Sequence, residues 1–124
     1  TCASIGNPHC VVFCDDPSSL DLEAIGPKFE HAEYFPERIN TEFVRIVNDD
    51  TLRMRVYERG NGETVACGTG ACAAVIAATE NGLLKKGRDI TVKLIGGDLI
   101  VNYTDDDVLL TGDAVLVYEG VVEY

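Results

Sequence analysis

The sequence predicts an α+β domain in which a mostly antiparallel sheet wraps a central buried helix. Three observations carry that expectation. Residues 70–78 contain no charged or strongly polar side chain, so a helix there has no face to offer water and must be enclosed. Residues 40–47 and 51–58 alternate with period two, with Leu52, Met54 and Val56 facing one way and Arg53, Arg55 and Tyr57 the other. After the helical stretch come three more strand candidates, at 90–95, 98–103 and 108–119, punctuated by Gly96-Gly97 and Asp105-Asp106-Asp107.

The remaining elements follow in order. Residues 9–14 form a short, mostly apolar strand closed by Asp15-Asp16-Pro17. Ser18 or Ser19 then caps a short helix carrying Leu22, Ile25 and Phe29 at helical spacing, which fades over residues 31–36. Asn48-Asp49-Asp50 is a tight turn between the two alternating strands. Asn81-Gly82 stops the apolar helix, and residues 85–88 form a solvated basic loop.

With 124 residues and 46% apolar content the chain is long enough for one domain with a real core. Its net charge of -11 opposes nucleic acid and anionic membrane surfaces as partners. No apolar run approaches the ~18 residues of a membrane span, and the first residues lack a signal-peptide pattern, so a cytoplasmic location is expected. The five cysteines (Cys2, Cys10, Cys14, Cys67 and Cys72) are odd in number and contain no CxxC, which fits a reducing compartment. Asn102-Tyr103-Thr104 matches a glycosylation acceptor in form only.

Chemistry concentrates in residues 58–73, ERGNGETVACGTGACA. Cys67 stands between a glycine-rich approach and the first turn of the buried helix, where backbone N–H groups and the helix dipole favour a thiolate. Gly68 and Gly70 let a ligand approach the backbone, and Thr69 adds a hydroxyl, so the segment can cradle a carboxylate beside the sulfur. Glu58 and Arg59 offer a carboxylate for an ammonium group and a guanidinium for a second carboxylate, although alone they equally describe a solvated strand end. Cys72, inside the apolar helix, reads as a small hydrophobe.

Other chemistries fit poorly. Gly68-Thr69-Gly70 is too short for a dinucleotide fingerprint, and no GK[ST] follows. His9, Cys10 and Cys14 lack a fourth metal ligand and alternate across a strand, so no metal is expected. A thiol protease would need a histidine base, for which His9 and His31 are the only choices, and spacing alone does not exclude His9. Asn7 and His9, presented around Pro8, and Asn40, opening a strand after Pro36-Glu37-Arg38, read equally as turn residues and as site residues.

Four separated motifs then decide between those readings. GNPHC at Gly6 to Cys10, FPERINTEFV at Phe35 to Val44, YERGNGETVACGTGACA at Tyr57 to Ala73, and TGDAVLVYEG at Thr111 to Gly120 together resemble the second half of diaminopimelate epimerase. The resemblance covers nearly the whole chain. It implies one half of a two-domain fold, with residues 1–124 as the C-terminal domain and the N-terminal domain outside them. It also implies a cofactor-independent isomerase of lysine biosynthesis that interconverts LL- and meso-diaminopimelate. In that family two cysteines flank the α-carbon; one removes its proton as a thiolate and the other donates a proton to the opposite face.

Carried onto these residues, the resemblance makes Cys67 one catalytic cysteine, with Glu58 and His9 as the polar pair beside the reacting centre. The amides of Gly68 and Thr69 would hold the reacting carboxylate, and Asn7, Asn40 and Arg59 the distal end of the substrate. It implies diaminopimelate and the complementary domain as partners, and residues 115–124 as a strand packing toward that domain. Isolated, the half is expected to be inactive and to self-associate, a homodimer being one form. Two alternatives stand beside this reading: a related cofactor-independent amino-acid racemase, and a non-catalytic amino-acid-binding domain.

Overall fold

A computed structural model describes residues 1–124. The strands are β1 (Cys2–Ser4), β2 (Pro8–Phe13), β3 (Asn40–Asn48), β4 (Thr51–Glu58), β5 (Gly62–Thr64), β6 (Asp89–Leu94), β7 (Gly97–Tyr103) and β8 (Val108–Thr111). The α-helices are α1 (Leu22–Glu30) and α2 (Gly68–Glu80), with a 3-10 turn at Pro17–Ser19 before α1. All eight strands join one sheet in the order β1-β2-β3-β4-β6-β7-β8, with β5 hung on β4. Most neighbours are antiparallel, but β2–β3 and β4–β6 are parallel, each joined through a helix-containing crossover.

The sheet curls around α2, which touches β1, β2, β3 and β4 on one side and β7 and β8 on the other. Small side chains make that enclosure fit: Ala71, Cys72, Ala73, Ala74, Val75, Ala77 and Ala78 are all buried. They pack on Val11, Val44, Leu52, Met54, Val56, Ile90, Val92 and Val101, so the predicted inner face of β4 is the observed one. The mixed α+β fold with a curled sheet thus follows from a helix that has no solvated face.

Tyr57 faces away from Leu52, Met54 and Val56, as the alternation predicts, and is buried on that second face. The reason is α1, which lies on the opposite face of the sheet and closes a second cluster of Leu22, Phe43 and Tyr57. Gly26 permits this approach, because a Cβ there would lie 2.3 Å from the Tyr57 ring. Phe29 meets Phe43 edge to face at 5.5 Å between ring centroids. Ser18 and Ser19 are not the α1 cap; Asp16 caps the 3-10 turn, and the Asp21 carboxylate accepts from Ala24 N at the start of α1. Carboxylates outcompete the serines at both helix starts.

The strand predicted over 108–119 ends at Thr111. Its register pairs Ile100 with Thr111, so one more step would set Gly112 against Leu99 and the next Asp113 against Asp98. Gly112, a poor strand former, stands at the first unpaired step. Residues 112–124 therefore carry no strand, including 115–124, and Val115, Leu116, Val117, Tyr118, Val121 and Val122 stand exposed. No helix is long and apolar enough to cross a membrane.

Candidate active site at the start of the buried helix

Cys67 is the N-cap of α2, with extended backbone and its Sγ accepting from Gly70 N at 3.3 Å. The N–H groups of Gly68 and Thr69 make no hydrogen bond within the chain, so two donors of the first turn stay open beside the sulfur. Thr69 Oγ1 lies 3.6 Å from Sγ. The thiol is half-buried.

The surroundings act on the Cys67 thiol in both directions. Burial pushes the Cys67 thiol above its ordinary value; the Thr69 and Gly70 hydrogen bonds pull it down, while Glu58 and Glu42 push it up again. Desolvation is the largest of these influences, ahead of the two hydrogen bonds. The chain by itself therefore holds Cys67 predominantly as the thiol at neutral pH.

β2 and β3 supply the adjoining wall. His9 is fully buried, with Nδ1 2.7 Å from Glu42 Oε1 and Nε2 3.1 Å from Asn7 Oδ1. Asn7 Nδ2 in turn donates to Thr69 Oγ1 at 3.2 Å, tying the loop before β2 to the first turn of α2. Gly70 lets Glu42 come this close, since a Cβ on Gly70 would lie 2.7 Å from Glu42 Oε1. Burial pushes the Glu42 carboxyl up, against the opposing pull of His9.

Asn40 works mainly on backbone: its Nδ2 donates to Pro8 O at 2.9 Å and its Oδ1 accepts from Arg59 N at 2.9 Å. The next amide, Gly60 N, donates to Glu30 Oε1 at 2.8 Å, so the Arg59 turn is pinned at two consecutive positions. The Arg59 guanidinium is exposed and donates to Glu37 O at 3.0 Å; no hydrogen bond joins it to another predicted site side chain. Glu58 Oε1 accepts a close hydrogen bond from the Thr64 hydroxyl.

The structure thus joins Asn7, His9, Thr69 and Cys67 in one network and places Glu58 near enough to perturb the thiol. It sets Asn40 and Arg59 at a second station, linked through backbone. Sequence reasoning missed Glu42, although the signal was there: it falls in phase with Val44 on the inward face of β3, where an acid is unusual. No cluster of three or more His, Cys, Asp or Glu side chains is arranged as metal ligands.

The family model described as "Diaminopimelate epimerase" matches residues 1–117. The chain belongs to the diaminopimelate epimerase family. A relative from Bacillus cereus with that name is 52% identical over 125 residues, covering 100% of this chain and 43% of its own length. One from Bacillus mycoides is 51% identical with the same coverage. The chain therefore spans less than half the length of the curated relatives it matches. Among solved structures, a phenazine biosynthesis protein of the PhzF family from Bacillus anthracis superposes with a TM-score of 0.57 at 26% identity, over 77% of this chain and 30% of that one. This likeness extends the curled α+β architecture beyond the epimerases.

Proposed function

We propose that this chain supplies one half of the active site of a cofactor-independent diaminopimelate epimerase, with Cys67 as one of two thiol acid-base groups. The observation that carries the proposal is the combination of a half-buried thiol with open N–H groups on Gly68 and Thr69, in a chain of this family. Those amides suit the reacting α-carboxylate, and charge that develops there as the α-proton leaves is favoured by the helix N-terminus. Cys67, held as a thiol, is suited to deliver a proton in one direction and, as the thiolate, to remove it in the other.

Glu58 and His9 flank the reacting centre in this reading, and Asn7, Asn40 and Arg59 hold the distal amino-acid end. The pinned Arg59 turn supports a fixed carboxylate clamp, since its backbone is set by Asn40 and Glu30 before any ligand arrives. The second thiol comes from a complementary domain that faces this one. The partial exposure of Cys67 supports such a shared site, because a second base can then meet the substrate from the side this chain leaves uncovered.

The test is α-proton exchange of LL-diaminopimelate in D2O, followed by NMR together with stereochemical inversion. No inversion is expected from the chain by itself, and inversion is expected once the complementary half is added. Replacing Cys67 by Ser should abolish that gain. Inversion that survives Cys67→Ser would overturn the assignment.

A further inference from the structure

Glu42 and His9 are each 0% exposed, and their 2.7 Å contact is the most deeply buried polar pair of the chain's wall beside Cys67. On the other side of the ring, Nε2 faces the Asn7 carbonyl oxygen, which can only accept, so Nε2 carries a proton. Asn7 must then turn its NH2 to Thr69, as observed. A Thr69 hydroxyl that accepts from Asn7 keeps its own proton to give, and Cys67 Sγ lies within reach of it. Each link fixes the direction of the next.

We propose that Glu42 is a positioning residue of the thiol site: acting through His9 and Asn7, it aims the Thr69 hydroxyl at Cys67 Sγ. With Nε2 protonated, one further proton lies between Nδ1 and Oε1, on either atom. Both arrangements leave the pair with no net charge, as complete burial favours. Loss of one of these two protons would leave the other on Nδ1 facing a carboxylate, with Nε2 bare and the pair carrying one negative charge. Asn7 would then have to present its NH2 to the ring, and its oxygen would claim the Thr69 proton, depriving the sulfur of its side-chain donor. Glu42 Oε2 has no hydrogen-bond partner, which a neutral carboxyl tolerates far better than a carboxylate.

The titratable groups that face Cys67 are Glu42 from β3, Glu58 from β4 and Cys72 from α2, with His9 of β2 behind Asn7. The proposal deepens the reading of Cys67 as an acid-base group, but its test reads a thiol and a ring and no turnover. The two therefore fail separately.

Site-resolved alkylation of Cys67 by iodoacetamide across pH, quantified by peptide mass spectrometry, reports the thiolate fraction. Thr69→Val should move the Cys67 profile up by about one pH unit, the size of one lost hydrogen bond to a charged group, and Thr69→Ser should restore it. Asn7→Ala should add nothing in the Thr69→Val background. Glu42→Leu should leave the profile higher than Glu42→Gln does, because both remove the carboxyl's own upward push on the thiol while only Gln, whose NH2 can replace the carboxyl proton at Nδ1, keeps His9 and Asn7 in place. Because the chain has two histidines, 15N spectra read the ring directly, and His9 should keep its Nε2 proton at neutral pH. A Thr69→Val profile that does not move, an Asn7→Ala effect that simply adds, or a bare His9 Nε2 would each overturn the proposal. The wild-type spectrum decides even where Glu42→Leu does not fold.

Discussion

The two helices begin alike and differ in what caps them. In α1 the Asp21 carboxylate accepts from Ala24 N at 3.2 Å, and in α2 the Cys67 sulfur accepts from Gly70 N at 3.3 Å, the same N-cap to third-residue contact. α1 adds Glu23 in its first turn, whereas α2 has no acidic residue there. The first arrangement is what helix stability asks for. The second leaves the positive end of a buried helix without a side-chain anion and substitutes a weak acceptor. Stability is given up at the place where the proposed function sets a carboxylate ligand beside the thiol.

That contrast breaks most strongly at the two glycines behind the caps. Gly26→Ala drives a methyl into the Tyr57 ring and should cost about 3 kcal/mol, the upper end for overpacking a tight site. Chemical denaturation should show the loss, while Cys67 alkylation stays unchanged. Gly70→Ala meets the Glu42 carboxyl and Cys67 Sγ instead, and should cost about 2 kcal/mol with a clear change in Cys67 alkylation. Equal thiol responses in the two variants would erase the distinction between the helices.

The caps themselves sharpen it at lower magnitude. Asp21→Ala should lose about 1 kcal/mol in a denaturant midpoint. Cys67→Ser should gain about 0.5 kcal/mol, since a hydroxyl is a better cap than a thiol, while removing the thiol chemistry. The smallest effect is in pH. Burial raises the folded Cys67 above 9.0, so the folded state holds that proton more tightly than the unfolded chain does. Its contribution is complete below that ordinary value and drains as pH rises through the raised one. Denaturant midpoints measured from about pH 8 to about pH 11 should therefore fall less steeply in Cys67→Ser than in the wild type.

How much of this was legible in the sequence depends on where the signal lay. β4 was read to the residue, because alternation and a polar turn agree there, and α2 was read because nothing in residues 70–78 tolerates water. The facing of Tyr57 was legible but its burial was not, because a single strand does not say what lies over its second face. β8 was overextended because apolar residues continue past Thr111, whereas the ladder depends on the partner strand and ends before Gly112. At the site, Cys67 announced itself through local glycines. Glu42 offered only the oddity of an acid on an inward strand face, since its partner His9 lies thirty-three residues away in the chain. The two parallel pairings are equally non-local, and no short window contains them.

The Asn7 to Thr69 hydrogen bond spans 62 positions of chain, against the tight turn that joins β3 to β4. Closing a loop of that length is entropically costly, so such contacts form late while hairpins form early. The thiol should therefore remain unshielded until β2 has docked beside β3 and α2 has seated against both. Shielding of Cys67 from a fast alkylating pulse then serves as a clock for refolding, marking the moment at which the last distant pieces of the chain meet.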